Sequence, residues 1–138
     1  MSDRESVAIR RLGQLQSAFA QLQSFAKTPI EDDRDRAGII QAFEYTFELC
    51  WKTLQAVAQI EAISASGPKH ALKAGFELGY VEDEDAWLAI LDDRNLTTHT
   101  YDSTLAKQVC DRILAKHIPA IAAVLERLAR ESSRWGTL

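Results

Sequence analysis

Glycine and proline are scarce in this sequence, six and three among 138 residues. No stretch alternates apolar and polar residues in the period-2 manner of a half-buried strand, so a turn-rich β fold is excluded. Cysteine is scarcer still. Cys50 and Cys110 stand where a helix places apolar residues, which reads as two buried free thiols in a reducing compartment. Neither has a neighbouring ligand at zinc spacing, so no metal site is expected. A glycine-rich phosphate loop and a serine-nucleophile elbow are also missing, and no cofactor is expected. No apolar run approaches the roughly 20 residues that span a bilayer. Met1 to Glu5 hold no apolar signal region, and the expectation is a cytoplasmic protein without membrane contact. Excess positive charge is absent too. Sixteen basic and twenty acidic side chains give a net charge of -4, which argues against coating nucleic acid by charge alone. One RNA strand gripped at a local site remains compatible with that balance.

What is present is helical periodicity, with 46% hydrophobic residues available for a core. Ala8, Leu12, Leu15, Phe19, Leu22 and Ala26 recur at intervals of three and four, predicting a first helix from near Arg4. Thr28-Pro29-Ile30-Glu31 reads as the next helix start, with Thr28 capping, Pro29 in the first position and Glu31 reaching back. The second helix is the longest. Ile39, Ile40, Phe43, Phe47, Cys50, Trp51, Leu54, Val57 and Ala58 fill one wide face, while Glu48 and Lys52 on the other are spaced to pair. Ser64 to Pro68 breaks it, a short helix follows from Pro68 to Leu78, and Gly79 supplies the stop. Asp83 can cap a helix carrying Trp87, Leu88, Ile90 and Leu91. Beyond Asp102 a last apolar row runs to Leu128, and Pro119 must kink or split its helix. The predicted fold is an all-α, up-and-down bundle of four main helices plus a short one, a single domain over residues 1–131. Residues 132–138 read as a frayed tail.

The apolar rhythm stops at Asp92-Asp93-Arg94-Asn95-Leu96-Thr97-Thr98-His99-Thr100-Tyr101-Asp102. A segment that gives little to a core and carries this much chemistry is the candidate site. On a regular helix Arg94 and His99 would lie about 140° apart, whereas Arg94 and Tyr101, like Asp92 and His99, would nearly eclipse. The run Thr97-Thr98-His99-Thr100 has low helix propensity and can bond its own backbone, so the helix should loosen there. Histidine exchanges protons near neutral pH, and arginine offers a fork of donors matched to phosphate. Together Arg94 and His99 have the chemistry to cleave RNA without a metal, with Asn95 and Asp92 in support and Tyr101 offering an exposed hydroxyl. His70 and His117 lack such company and are expected on the surface.

Arg94 to Tyr101 resembles the motif of HEPN-domain proteins: arginine, polar residue, three variable residues, histidine, one residue, tyrosine. Phe43-Glu44-Tyr45-Thr46-Phe47-Glu48-Leu49-Cys50-Trp51-Lys52-Thr53-Leu54 and the stretch from Trp87 to Asp93 look like the branch holding nucleotidyltransferase substrate-binding proteins and HepT toxins. The likeness covers about Arg36 to Ile113. It implies a HEPN-like bundle that forms a homodimer, with two motifs facing each other. It also implies a partner, a minimal nucleotidyltransferase encoded nearby that acts as antitoxin. In toxin members the arginine and histidine cut RNA without metal, and the partner silences them by adding AMP to the motif tyrosine, here Tyr101. The alternative implied by the same branch is a non-enzymatic subunit that presents a substrate to the transferase.

Overall fold

The computed structural model describes residues 2–136. Helix α1 (Asp3–Lys27) opens on a capping box, with the Ser2 hydroxyl accepting from the Glu5 amide and the Glu5 carboxylate accepting from that of Ser2. Its buried stripe is Ala8, Leu12, Leu15, Phe19 and Leu22, as the spacing predicts. Helix α2 (Asp33–Ile60) starts later than expected. Thr28 ends α1, and Asp32 caps α2 by accepting from the amides of Arg34 and Asp35. Two aspartates following Pro29-Ile30-Glu31 outcompete the threonine, because a carboxylate meets both the free amides and the positive end of the helix dipole.

Helix α2 is the axis of the bundle, packing against α1, α3 (Pro68–Glu77), α4 (Glu84–Leu96) and α5 (Ser103–Arg112). Such surroundings bury Thr46 and Thr53 beside its aromatic face, and each hydroxyl donates to a carbonyl four residues back, at 2.8 and 2.6 Å. Short α3 approaches closely at Gly75, where a Cβ would stand 3.1 Å from Leu54 and Val81. Gly79, at φ 87°, ends the turn after it. Asp83 caps α4 by accepting from the Ala86 amide, as expected.

Helices α5 and α6 (Ile118–Glu131) form one rod joined by a π turn, Ile113–His117. Pro119 lies in the first turn of α6, where its missing N–H disturbs the ladder least. Counting α5, the π turn and α6 as one, the described residues form four long helices and one short one. The C-terminal segment is more ordered than a frayed tail. A 3₁₀ turn at Ser132–Arg134 brings Trp135 back onto the core, 8% exposed; residues 137 and 138 lie outside the described residues.

His117 is not on the surface. It is 1% exposed, stacked on Phe43 with centroids 5.5 Å apart, and its Nε2–H donates to Asp93 at 2.6 Å. Arg112 grips the same carboxylate through Nε and Nη2, both at 2.8 Å. His117 stands four residues from both Ile113 and Ile121, inside the apolar row itself. A buried acceptor makes histidine tolerable there. Burial alone would raise the Asp93 carboxyl. The hydrogen bonds and charges of Arg112 and His117 outweigh it and hold the group below the ordinary carboxylate value.

Because that value is depressed on folding, Asp93 stabilises the native state above its ordinary pKa, and the contribution is lost as the pH falls through the folded one. Asp93→Asn should lower the unfolding free energy at neutral pH by about 2–3 kcal/mol. Denaturant titrations across pH should show the gap to wild type narrowing below about pH 4. A gap that stays constant into the acid range would mean that ionisation of Asp93 is not what joins α4 to the C-terminal rod.

Candidate functional site

The candidate stretch begins on the last turn of α4 and ends on the cap of α5. The expected loosening is a 3₁₀ turn, Thr97–His99. Its cause is local. Thr97, Thr98 and Thr100 donate their hydroxyls to the carbonyls of Arg94, Asn95 and Thr97, at 2.6, 3.2 and 2.9 Å. Each bond reaches three residues back and tightens the turn. Asp102 then caps α5, accepting from the amides of Thr104 and Leu105 at 2.9 and 3.2 Å. The turn is therefore fixed at both ends.

Arg94 leaves α4 towards α2. Its Nη2 donates to Glu48 Oε1 at 2.6 Å, and its guanidinium carbon lies 5.9 Å from the centre of the Phe47 ring. The side chain is 38% exposed, so the fork is held but reachable. Glu48 also accepts from Trp51 Nε1 at 3.1 Å. The expected Glu48–Lys52 pair is thus replaced, and the Lys52 ammonium lies 5.9 Å over the Trp51 ring instead. Sequence spacing could not show this. The two partners are 46 residues apart, and only helix packing brings them together.

Asn95 is exposed, its Oδ1 3.5 Å from Arg94 Nη1, and Asp92 is exposed one turn before the 3₁₀ segment. His99 and Tyr101 are both exposed, with ring centroids 6.2 Å apart in an edge arrangement. Tyr101 is 86% exposed. Among the described residues no hydrogen bond joins Arg94 to His99 within one chain. Beside Tyr101, a hollow of about 160 Å³ is lined by Asp33, Glu44, Thr100 and Ser103. Burial pushes the Glu44 carboxyl up, against the opposing pull of Thr97 and the Arg94 charge. Glu44 and Glu48, one turn apart on α2, are the site residues that sequence reasoning left on an ordinary polar face. Their position within the aromatic segment Phe43 to Trp51 is the only sequence signal for them. No three His, Cys, Asp or Glu side chains among the described residues cluster so as to hold a metal ion.

Comparison with known proteins matches residues 10–130 to the family described as nucleotidyltransferase substrate binding protein like. A Haemophilus influenzae protein named probable ribonuclease HepT is 38% identical over 82 residues, covering 56% of each chain, so little more than half the length of that relative is matched. A crystal structure of a Thermus thermophilus protein superposes with a TM-score of 0.74 at 36% identity, covering 83% of this chain and 98% of that one. A second structure, from Haemophilus influenzae, superposes with a TM-score of 0.65 at 30% identity, over 91% and 98% of the two chains. It is described as revealing the fold of a substrate binding domain of a nucleotidyltransferase. With nearly all of α1 to α6 inside the matched region, the chain belongs to the nucleotidyltransferase substrate binding protein-like family.

Proposed function

We propose that this chain is a metal-independent endoribonuclease of the toxin type, acting on RNA in the cytoplasm and silenced when a minimal nucleotidyltransferase adds AMP to Tyr101. The observation that carries the reading is Arg94. A guanidinium tethered by Glu48, yet still open to solvent, is preorganised for one phosphate of a bound strand. Glu48 takes one of its five N–H donors and Asn95 Oδ1 holds a second at 3.5 Å, which leaves three for phosphate oxygens. His99 takes the proton of a ribose 2'-hydroxyl as the 2'-oxygen attacks phosphorus, and the bond to the 5'-oxygen breaks. That leaving oxygen needs a proton from a second imidazole. In a homodimer with facing motifs, His99 of the second copy supplies it. Asn95 and Asp92 support this arrangement from the exposed face of α4. AMP on Tyr101 would set a phosphate near the Arg94 fork and compete with RNA for it.

A specific observation favours a second reading. The family is described as nucleotidyltransferase substrate binding protein like, and the Haemophilus influenzae structure as a substrate binding domain of a nucleotidyltransferase. On that reading the same arginine holds a substrate phosphate for the partner, and no bond in RNA is cut.

Two measurements separate these readings. His99→Ala and Arg94→Ala should each reduce RNA cleavage by about a hundredfold or more. His99→Ala should leave the melting temperature unchanged, and Arg94→Ala should cost about 1 kcal/mol or less, since its ion pair is partly exposed. Arg94→Lys should not rescue, because an ammonium lacks the fork. Intact wild-type protein that leaves RNA whole would favour the substrate-binding reading. Incubation with the nucleotidyltransferase and ATP should add the mass of one AMP residue per chain and abolish cleavage. Tyr101→Phe should take up no adduct and stay active in the partner's presence.

A further inference from the structure

Neither Arg94 nor His99 lines the hollow beside Tyr101. At about 160 Å³ it has room for roughly five waters and falls below the roughly 300 Å³ at which pockets for drug-sized ligands begin, so it suits one ring system. Its floor is apolar, with Ile40 and Ala106 only 2% and 6% exposed. Its walls carry Asp33 and Glu44 from α2 and Ser103 from α5. Asp33 pairs with Arg36 at 2.9 Å, whereas Glu44 is in no ion pair among the described residues. No lysine or arginine lines the hollow, so its charge turns a phosphate away.

Its place beside Arg94 decides what it can serve. Asp33, Ala37, Ile40, Glu44 and Glu48 follow at intervals of four, three, four and four, which sets them along one side of α2. Glu48 holds Arg94, and Glu44 stands one step nearer the hollow, about 6 Å along the helix axis. A nucleotide whose phosphate lies on the Arg94 fork therefore has its base within reach of Glu44. A carboxylate without a cation accepts from an amine and repels a carbonyl oxygen. Cytosine and adenine offer an amine beside an unprotonated ring nitrogen, to which the Ser103 hydroxyl can donate. Uracil and hypoxanthine put an oxygen in the amine's place.

We propose that the hollow is a nucleobase subsite for a base bearing an exocyclic amine, with the amine on Glu44, the ring over Ile40 and Ala106, and Tyr101 alongside. The base comes from an RNA strand held at Arg94 or from AMP carried on Tyr101; ring and amine are alike in both. The inference rests on the nucleic-acid role proposed for Arg94 and adds to it a means of choosing among bases.

The test is an NMR titration of the full chain with CMP, UMP, AMP and IMP, pairs that differ by an amine against a carbonyl. CMP and AMP should bind about tenfold tighter than UMP and IMP and shift the signals of Ile40, Ser103 and Ala106. Glu44→Gln should level that ratio, because an amide both accepts and donates. The ratio is read, since removing a charge near Arg94 also changes the grip on phosphate. Ala37 is exposed on the hollow's wall, so Ala37→Leu should fill the space, with circular dichroism confirming the fold, and bring CMP and AMP down to the level of UMP and IMP. A chain carrying AMP on Tyr101 separates the two sources. Shifted Ile40 methyl signals with CMP refused assign the hollow to the adduct, and unshifted ones with CMP still bound assign it to the RNA strand. Equal affinity for CMP and UMP, or a preference that survives Glu44→Gln, would overturn the subsite. RNA cut equally beside C and U by wild type would do the same and leave the ribonuclease standing. The expected preference in a chain that never cuts RNA would uphold the subsite and end the ribonuclease reading.

Discussion

Asp93 carries a carboxylate into the interior at the end of α4, and a charge in that place is stable only while Arg112 and His117 hold it. This contact joins the motif helix to the C-terminal rod. Its neighbour in sequence is Arg94, and successive helical residues diverge by about 100°. With Asp93 fixed inward towards the rod, Arg94 is directed towards α2 and Glu48. With the buried Trp87, Ile90 and Leu91, this ion fixes the rotation of α4, and the position of the candidate phosphate-binding guanidinium follows from it. A helix rotated by one residue would expose the carboxylate and bury the guanidinium without its partner.

The local field around Arg94 is mixed. Glu44 and Glu48 lie on α2 in the same region, and the chain as a whole carries a net charge of -4. Such surroundings weaken non-specific attraction for a polyanion. Tethering also reduces the entropy that a free arginine would lose on gripping a phosphate. The threonine-rich turn works in the same direction. Three hydroxyls bonded back to the chain convert a helix end into a defined 3₁₀ turn that projects His99 and Tyr101 into solvent.

The C-terminal rod shows why spacing needs a structural reading. Leu105, Val109, Ile113, His117 and Ile121 are each four apart, and on a regular α-helix every such step drifts by about 40°. Several steps would carry the row off one face. A π turn at Ile113–His117 underwinds the helix and keeps Val109, Ile113, His117 and Ile121 buried together. The histidine in that row was legible as a core position by its spacing. Its polar character, read without a partner, pointed to the surface.

Sequence alone determined the helical class, the stripe on α1, the aromatic face of α2, the Asp83 cap and the stop at Gly79, because each rests on periodicity or on residues within four positions of one another. It also singled out residues 92–102, where the apolar rhythm fails. The tertiary structure decided what those residues meet: Glu48 for Arg94, and Arg112 with His117 for Asp93. These partners lie 46, 19 and 24 residues away. No local rule reaches across such separations; they are fixed only when packed helices bring their faces together.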